Sequence, residues 1–317
     1  MSRYNPRMTR TSASLTEQSP AAPAVARVCP VCAASEWKTV YSGPVRVGKF
    51  PNTQDGGLVR ACTSCGVQRL DGEPIDYTNE RYRALVETDP SPAAYYRAHD
   101  VEQVERVSLI GLERLRGQVV VDVGAGAGSF LDAVKGVAAR TVAIEPSSHF
   151  HAALRAKGHE VYSFATDAVP HLGGKADVVT SFAVIEHIED LPQFTSSLAA
   201  LARPGGRVIV STPNARDWLL EFSQAYASFF YRIVHRWYFD EQALARLLAA
   251  QGLKVDSAVY RHRFDVSNAL GWLKEQRPSG LGRFPLLSRL DGLFRDELER
   301  QGRSDYFYLL LTRPPEA

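Results

Sequence analysis

No apolar run in this 317-residue sequence approaches the ~20 residues needed to cross a bilayer, which excludes a helical integral membrane protein. Net charge is nearly absent as well. Lys and Arg total 37 against 35 Asp and Glu, and the resulting +2 gives little electrostatic reason to expect a nucleic-acid or anionic-membrane partner. The opening stretch, MSRYNPRMTRTSASLTEQSPAAPAVA, carries basic residues but lacks the apolar core of a signal peptide, so the expected location is the cytoplasm. It is also too poor in large apolar side chains to pack, and residues 1–26 read as a disordered tail. Cysteine is scarce, four in all, and none falls after residue 65.

Those four form two pairs, Cys29-Pro-Val-Cys32 and Cys62-Thr-Ser-Cys65. Two C-x-x-C knuckles bring four thiolates within tetrahedral reach of one zinc, and a reducing compartment argues against disulfides. A redox dithiol would need only one pair; unligated thiols are the other alternative. Strand-like pieces at Trp37–Val40 and Leu58–Arg60, with a turn at Gly56-Gly57, suggest a zinc ribbon over residues 27–73. Four protein ligands leave no open position, so the zinc is expected to be structural. The length leaves room for a large α/β unit over residues 74–317.

The stretch VVVDVGAGAGSF, Val119 to Phe130, organises that unit. Three valines suit a strand buried on both faces, Gly124, Gly126 and Gly128 suit a turn close to a ligand, and Phe130, Leu131, Val134 and Val137 recur at helical spacing. The dinucleotide fingerprint G-x-G-x-x-G would require glycine where Ser129 stands. Asp122 would repel a pyrophosphate but suits a ligand carrying an ammonium and a sulfonium, which points to S-adenosylmethionine. A second strand, Thr141 to Ile144, ends at Glu145, whose carboxylate can accept from both ribose hydroxyls.

At these residues the sequence resembles the class I S-adenosylmethionine-dependent methyltransferases, whose first motif is hhDhGxGxG followed by an acid ending the next strand. The resemblance implies a doubly wound, seven-stranded, mostly parallel Rossmann-like sheet. A third strand is expected over Glu160–Phe164, followed by a loop in which Asp167 either accepts from the adenine amino group or caps the next turn. The fourth strand, Ala176–Phe182, brings Phe182 to the cofactor. The run Glu186-His187-Ile188-Glu189-Asp190 resembles the family's fourth motif, which faces the transferred methyl group and implies His187, or less readily Glu186, as general base. His187 could instead merely shape the pocket. RPGGRVIVSTPN resembles the fifth-strand signature, and the aromatic stretch 215–239 stands where the family inserts a substrate-covering element; packing into the core is the plainer reading of such a stripe. His235 is a possible second base or a packed core residue. Leu253–Tyr260 and Tyr306–Thr312 complete the sheet, and residues 262–304 form a helical insertion; Arg261 at its edge and Arg263, Arg277 and Arg283 within it could clamp an acceptor anion or face solvent.

Cysteine knuckles ahead of this core resemble the zinc domain of bacterial methyltransferases acting on deoxysugars, glycans and natural products, although those enzymes carry a further C-terminal domain. Upstream of the core, Val104, Val107, Leu109, Leu112 and Leu115 suggest one amphipathic helix, and Tyr77, Tyr82, Tyr95 and Tyr96 cluster before it, as cofactor cover or as interdomain packing. The expected function is therefore methyl transfer to a small-molecule acceptor at oxygen or carbon. RNA base methylation and a non-catalytic cofactor-binding protein with a zinc docking module are the alternatives. The sequence leaves the oligomeric state open.

Overall fold

A computed structural model of the protein describes residues 28–73, 76 and 91–315, and eleven strands organise these described residues. In chain order they are β1 (Trp37–Arg46), β2 (Thr53–Cys62), β3 (Gln68–Leu70), β4 (Val119–Val123), β5 (Arg140–Ile144) and β6 (Glu160–Tyr162). There follow β7 (Ala176–Phe182), β8 (Ala202–Pro213), β9 (Trp237–Tyr238), β10 (Lys254–Arg261) and β11 (Tyr306–Thr312). The expected tail 1–26 and the residues Tyr77 and Tyr82 lie outside the described residues.

Seven strands form one sheet in the order β10-β11-β8-β7-β4-β5-β6. β4 through β8 run parallel, while β11 is antiparallel to both of its neighbours. The expected doubly wound architecture is present. Successive side chains of β4 point to opposite faces, and both faces are covered: Val120 packs with the helices Ser129–Val134 and His151–Ala156, while Val121 packs with Ala165–Leu172, Leu191–Leu201 and Glu241–Ala249. Asp240 caps the last of these by accepting from the Ala243 amide, and Gly252 closes it at φ +78°. Among the described residues, no helix is long and apolar enough to cross a membrane.

A second, antiparallel sheet has the order β1-β2-β3-β9. Its first three strands belong to the cysteine-bearing segment, and its fourth comes from the aromatic stretch, through the pairs Gln68↔Tyr238 and Arg69↔Trp237. An apolar cluster containing Tyr41, Val59, Tyr226, Phe230, Tyr231 and Trp272 fills the space behind it. The aromatic stretch is thus core and cover together, because one face packs on the ribbon while Tyr226, Phe229 and Phe230 also line a cavity.

Several local expectations are corrected. The β1–β2 turn lies over residues 47–52, and Gly57 is inside β2 opposite Gly43, where a Cβ would fall 2.3 Å from Val45 Cγ1. The helix Pro92–Ile110 stops at Gly111, so Leu112 and Leu115 lie on a separate short turn. Val104 is 78 % exposed, whereas Gln103 and Arg106 are buried. Apolar spacing misleads here because this helix turns its charged face toward the cavity. The third strand ends at Tyr162, and Ala165, expected in a loop, starts a helix.

Candidate active site

The carboxyl ends of β4, β5 and β7 open into a cavity of about 730 Å³, where the strand order reverses and ligands of such sheets bind. β4 delivers Asp122 to its wall and then passes into the glycine turn. Gly124 and Gly126 have φ of +84° and +55°. An added Cβ would lie 2.2 Å from Val184 Cγ2 at the first and 2.3 Å from the Tyr95 ring at the second, so bare backbone is required at both. Gly128 is a correction. It is not part of the cavity wall, and its missing Cβ makes room for Leu154 Cδ2, at 2.6 Å, so its role is to let the helix pack.

Glu145 ties the second strand to this turn. Its two carboxylate oxygens accept from the amides of Gly126 (2.8 Å) and Ser147 (2.9 Å), and the residue lines the cavity. Asp122 is 4 % exposed and accepts from Thr180 Oγ1 at 2.7 Å. Burial pushes its carboxyl up to about 6; Thr180 and Arg106 oppose the shift and Glu145 adds to it. Phe182 lines the same wall, edge-on to Phe130 and with the Arg106 guanidinium 4.5 Å from its ring centre. Asp167 does not line the cavity. Its carboxylate accepts from the Phe164 amide at 3.1 Å as a helix cap, leaving Ser163, Phe164 and Ala165 on the wall. Of the two described tyrosines, Tyr95 lies over the turn on the cavity side, while Tyr96, which does not line the cavity, bonds through its hydroxyl to the Ala127 carbonyl and Asp132.

Beyond β7 the chain passes through Ala183, at a left-handed φ of +55°, into the short turn Ile185–His187. Neighbours on a helical turn point about 100° apart, yet Glu186 and His187 both line the cavity, and His235 joins them. Glu186 accepts from Thr212 Oγ1 at 3.1 Å, and burial raises its carboxyl to about 7. His187 Nδ1 lies 2.7 Å from the Val234 carbonyl, which fixes the tautomer with the lone pair on Nε2. Burial lowers His187 to about 4, the Val234 bond opposing and Arg232 adding to the shift. The His235 ring meets that of His187 edge-on at 4.8 Å; burial, then Arg232, His187 and Arg46, hold it well below the usual imidazole range. Among the described residues its Nδ1 has no hydrogen-bond partner. The ligand atoms of Glu186, His187 and His235 lie within 4.8 Å of one another, near enough to share a cation, although two neighbouring guanidinium groups oppose one.

Four cysteine sulfurs also lie within 4.8 Å of one another, with Cys29–Cys65 at 3.6 Å and Cys32–Cys62 at 3.5 Å. The two knuckles repeat one hydrogen-bond pattern. In each the first cysteine's carbonyl accepts from the residue four positions on, Ala33 and Gly66, and its amide donates to the residue five positions on, Ala34 and Val67.

Of the cationic wall, sequence reasoning named only Arg263, as one of several arginines that could meet an acceptor anion or face solvent. Arg46, Arg106, Arg232 and Arg263 all line the cavity, contributed by the ribbon, the 92–110 helix, the aromatic stretch and the insertion. No local pattern distinguishes them from surface arginines, because only the tertiary fold turns them inward.

Residues 94–258, just over half of the chain, match the family described as "Methyltransferase domain". The chain is 30 % identical over 139 residues to the ubiquinone biosynthesis O-methyltransferase of Bradyrhizobium sp. (strain ORS 278), a match covering 42 % of this chain and 54 % of that protein. It is 28 % identical over 170 residues to the enzyme of the same name from Bradyrhizobium diazoefficiens, covering 52 % and 66 %. Less than two thirds of either relative is therefore spanned. Among solved structures, a SAM-dependent methyltransferase from Archaeoglobus fulgidus is 14 % identical, with a TM-score of 0.48 over 69 % of this chain and 96 % of that one. By its family match, its strand order and its glycine turn between two acids, the chain belongs to the methyltransferase domain family, in its class I, S-adenosylmethionine-dependent form.

Proposed function

We propose that the protein transfers the methyl group of S-adenosylmethionine to a small-molecule acceptor, a sugar, glycan precursor or secondary metabolite, and that oxygen is the atom methylated. One observation carries the reading: a single cavity holds both the Asp122–Glu145 turn and the Glu186–His187–His235 cluster. The name shared by the curated relatives favours oxygen over carbon.

In this reading Asp122 faces the positive end of the donor, Glu145 the ribose and Phe182 the pocket wall. The acceptor oxygen attacks the methyl carbon in line, the carbon–sulfur bond breaks, and the sulfonium becomes a neutral thioether. The protein's work is alignment and removal of one proton. His187 takes that proton on Nε2. Held at about 4 by burial, it is neutral across the physiological range and therefore able to accept. Glu186, raised to about 7, is the nearer match in proton affinity and receives the proton where His187 is replaced.

Zinc at the four cysteines belongs to the same proposal. Four thiolates at Zn–S bonds of about 2.3 Å form a tetrahedron with edges of about 3.8 Å, and separations of 3.5 and 3.6 Å suit it. The metal supplies cross-linking rather than chemistry. Because β3 pairs with β9, we assign residues 27–73 and 215–239 to one acceptor-side unit on the 74–317 core.

The test is mass spectrometry of candidate acceptors incubated with methyl-labelled cofactor, followed by kinetics of His187→Gln. Turnover should fall by about 10²- to 10⁴-fold while the Kd for S-adenosylhomocysteine stays within about twofold. Equal losses in both would assign His187 a structural role only.

A further inference from the structure

Arg46 ends β1, the first strand of the cysteine-bearing sheet, yet its side chain lines the catalytic cavity. The backbone holds it there. Its amide donates to the Tyr231 carbonyl at 2.8 Å, and its own carbonyl accepts from the Ile233 amide at 3.0 Å, a parallel bridge that sets Arg46 directly beside Arg232. Both arginines line the cavity, and the Arg46 guanidinium stands 4.0 Å above the centre of the Phe229 ring.

Two of the other cavity arginines have carboxylate partners. Arg106 pairs with Glu102 at 2.7 Å, and Arg263 pairs with Asp305 at 2.6 Å. Among the described residues no carboxylate lies within ion-pair distance of Arg46, and its Nε is buried without a hydrogen-bond partner. Burial, then the like charge of Arg232, lowers its guanidinium to about 9. A partly buried guanidinium with no carboxylate beside it adds little to stability, since burial penalises its charged form. A ligand that brings the missing negative charge gives it a purpose.

We infer that Arg46, with Arg232 alongside, binds a phosphoryl group carried by the methyl acceptor. Two adjacent guanidinium groups match the charge and spread oxygens of a phosphate monoester or diphosphate; a carboxylate would be satisfied by one bidentate arginine. A cation bridging Glu186, His187 and His235 is the competing occupant of this half of the cavity, and Arg46 and Arg232 repel it. The inference rests on the reading of this space as the acceptor pocket. It also gives the ribbon a task, because β1 delivers the anchoring residue.

The experiment uses the full zinc-loaded chain with inorganic pyrophosphate as probe, in calorimetric titrations at constant ionic strength, with succinate as the carboxylate probe and S-adenosylhomocysteine measured in parallel. Pyrophosphate should bind, and Arg46→Met should weaken it at least tenfold while leaving the S-adenosylhomocysteine Kd within twofold; Arg46→Lys should fall between. Arg46→Met should also melt no lower than wild type without ligand. Three results would overturn the inference: pyrophosphate affinity unchanged in Arg46→Met, Arg46-dependent binding of succinate but not pyrophosphate, or a lower melting temperature for both variants, which makes Arg46 structural. Loss of S-adenosylhomocysteine binding by the wild type would instead undo the methyltransferase reading, and the two failures are therefore separable.

Discussion

Asp122 provides a sharp quantitative test of the donor site. Its carboxyl is raised to about 6 by burial, with Thr180 and Arg106 opposing the shift and Glu145 adding to it. The folded state without ligand therefore holds the proton more tightly than an unfolded chain does, and this residue's contribution to stability is present below pH 4 and lost as pH rises through about 6. Binding a donor with an ammonium and a sulfonium requires the ionised form. S-Adenosylmethionine affinity should then be constant above about pH 7 and fall near tenfold by pH 5, as the fraction ionised drops to about a tenth. Asp122→Asn removes a charge-assisted contact worth about 1.5–3 kcal/mol, a loss of roughly 10- to 150-fold in Kd, and should flatten the pH profile. Isothermal titration from pH 5 to 8 measures both effects, with methylthioadenosine, which lacks the cationic groups, as a control of constant affinity. A flat wild-type profile, or the same slope for the neutral control, would refute the assignment of Asp122 to the cationic end.

Two further outcomes follow from the geometry. Gly126→Ala places a Cβ 2.3 Å from the Tyr95 ring at φ +55°, so it should weaken cofactor binding at least tenfold. Adding Tyr95→Ala should restore part of that loss, leaving the backbone cost of about 1–2 kcal/mol, whereas no recovery in the double-mutant cycle would mean that the ring is not the obstacle. Stripping zinc, or Cys62→Ser, should raise the acceptor KM at least tenfold and expose residues 28–73 and 224–239 to protease, with cofactor Kd changed less than threefold. Equal loss of cofactor binding would show that the ribbon supports the whole fold.

Much of the donor half is legible in the sequence because it is local: a valine strand, a turn that must be glycine, an acid at each strand end and paired cysteines all carry their meaning within a few residues. The acceptor half is not. Arg46 and Arg232 are set side by side by a bridge between distant segments, and Val104, expected on an apolar face, is exposed while Arg106 is buried, because the cavity rather than apolar spacing decides which face of their helix is covered. Asp167 illustrates a third limit, since a short acid after a strand caps a helix as readily as it meets a base, and the backbone chose the cap. Glu186 and His187 face one space because the cavity wraps around their turn, which helical geometry alone does not anticipate.

The pairing of β3 with β9 has a consequence for biosynthesis. Leu70 accepts from Arg236, 166 residues later in the chain. At translation rates of about 5–20 residues per second, the outer strand of the ribbon waits on the order of 10–30 s before its partner leaves the ribosome. During that interval its unpaired backbone is open to strangers, as any bare sheet edge is. Metal capture by the cysteines, which need no late partner, would order the early segment through that wait, so a zinc-starved cell should accumulate this protein as aggregate rather than as inactive monomer.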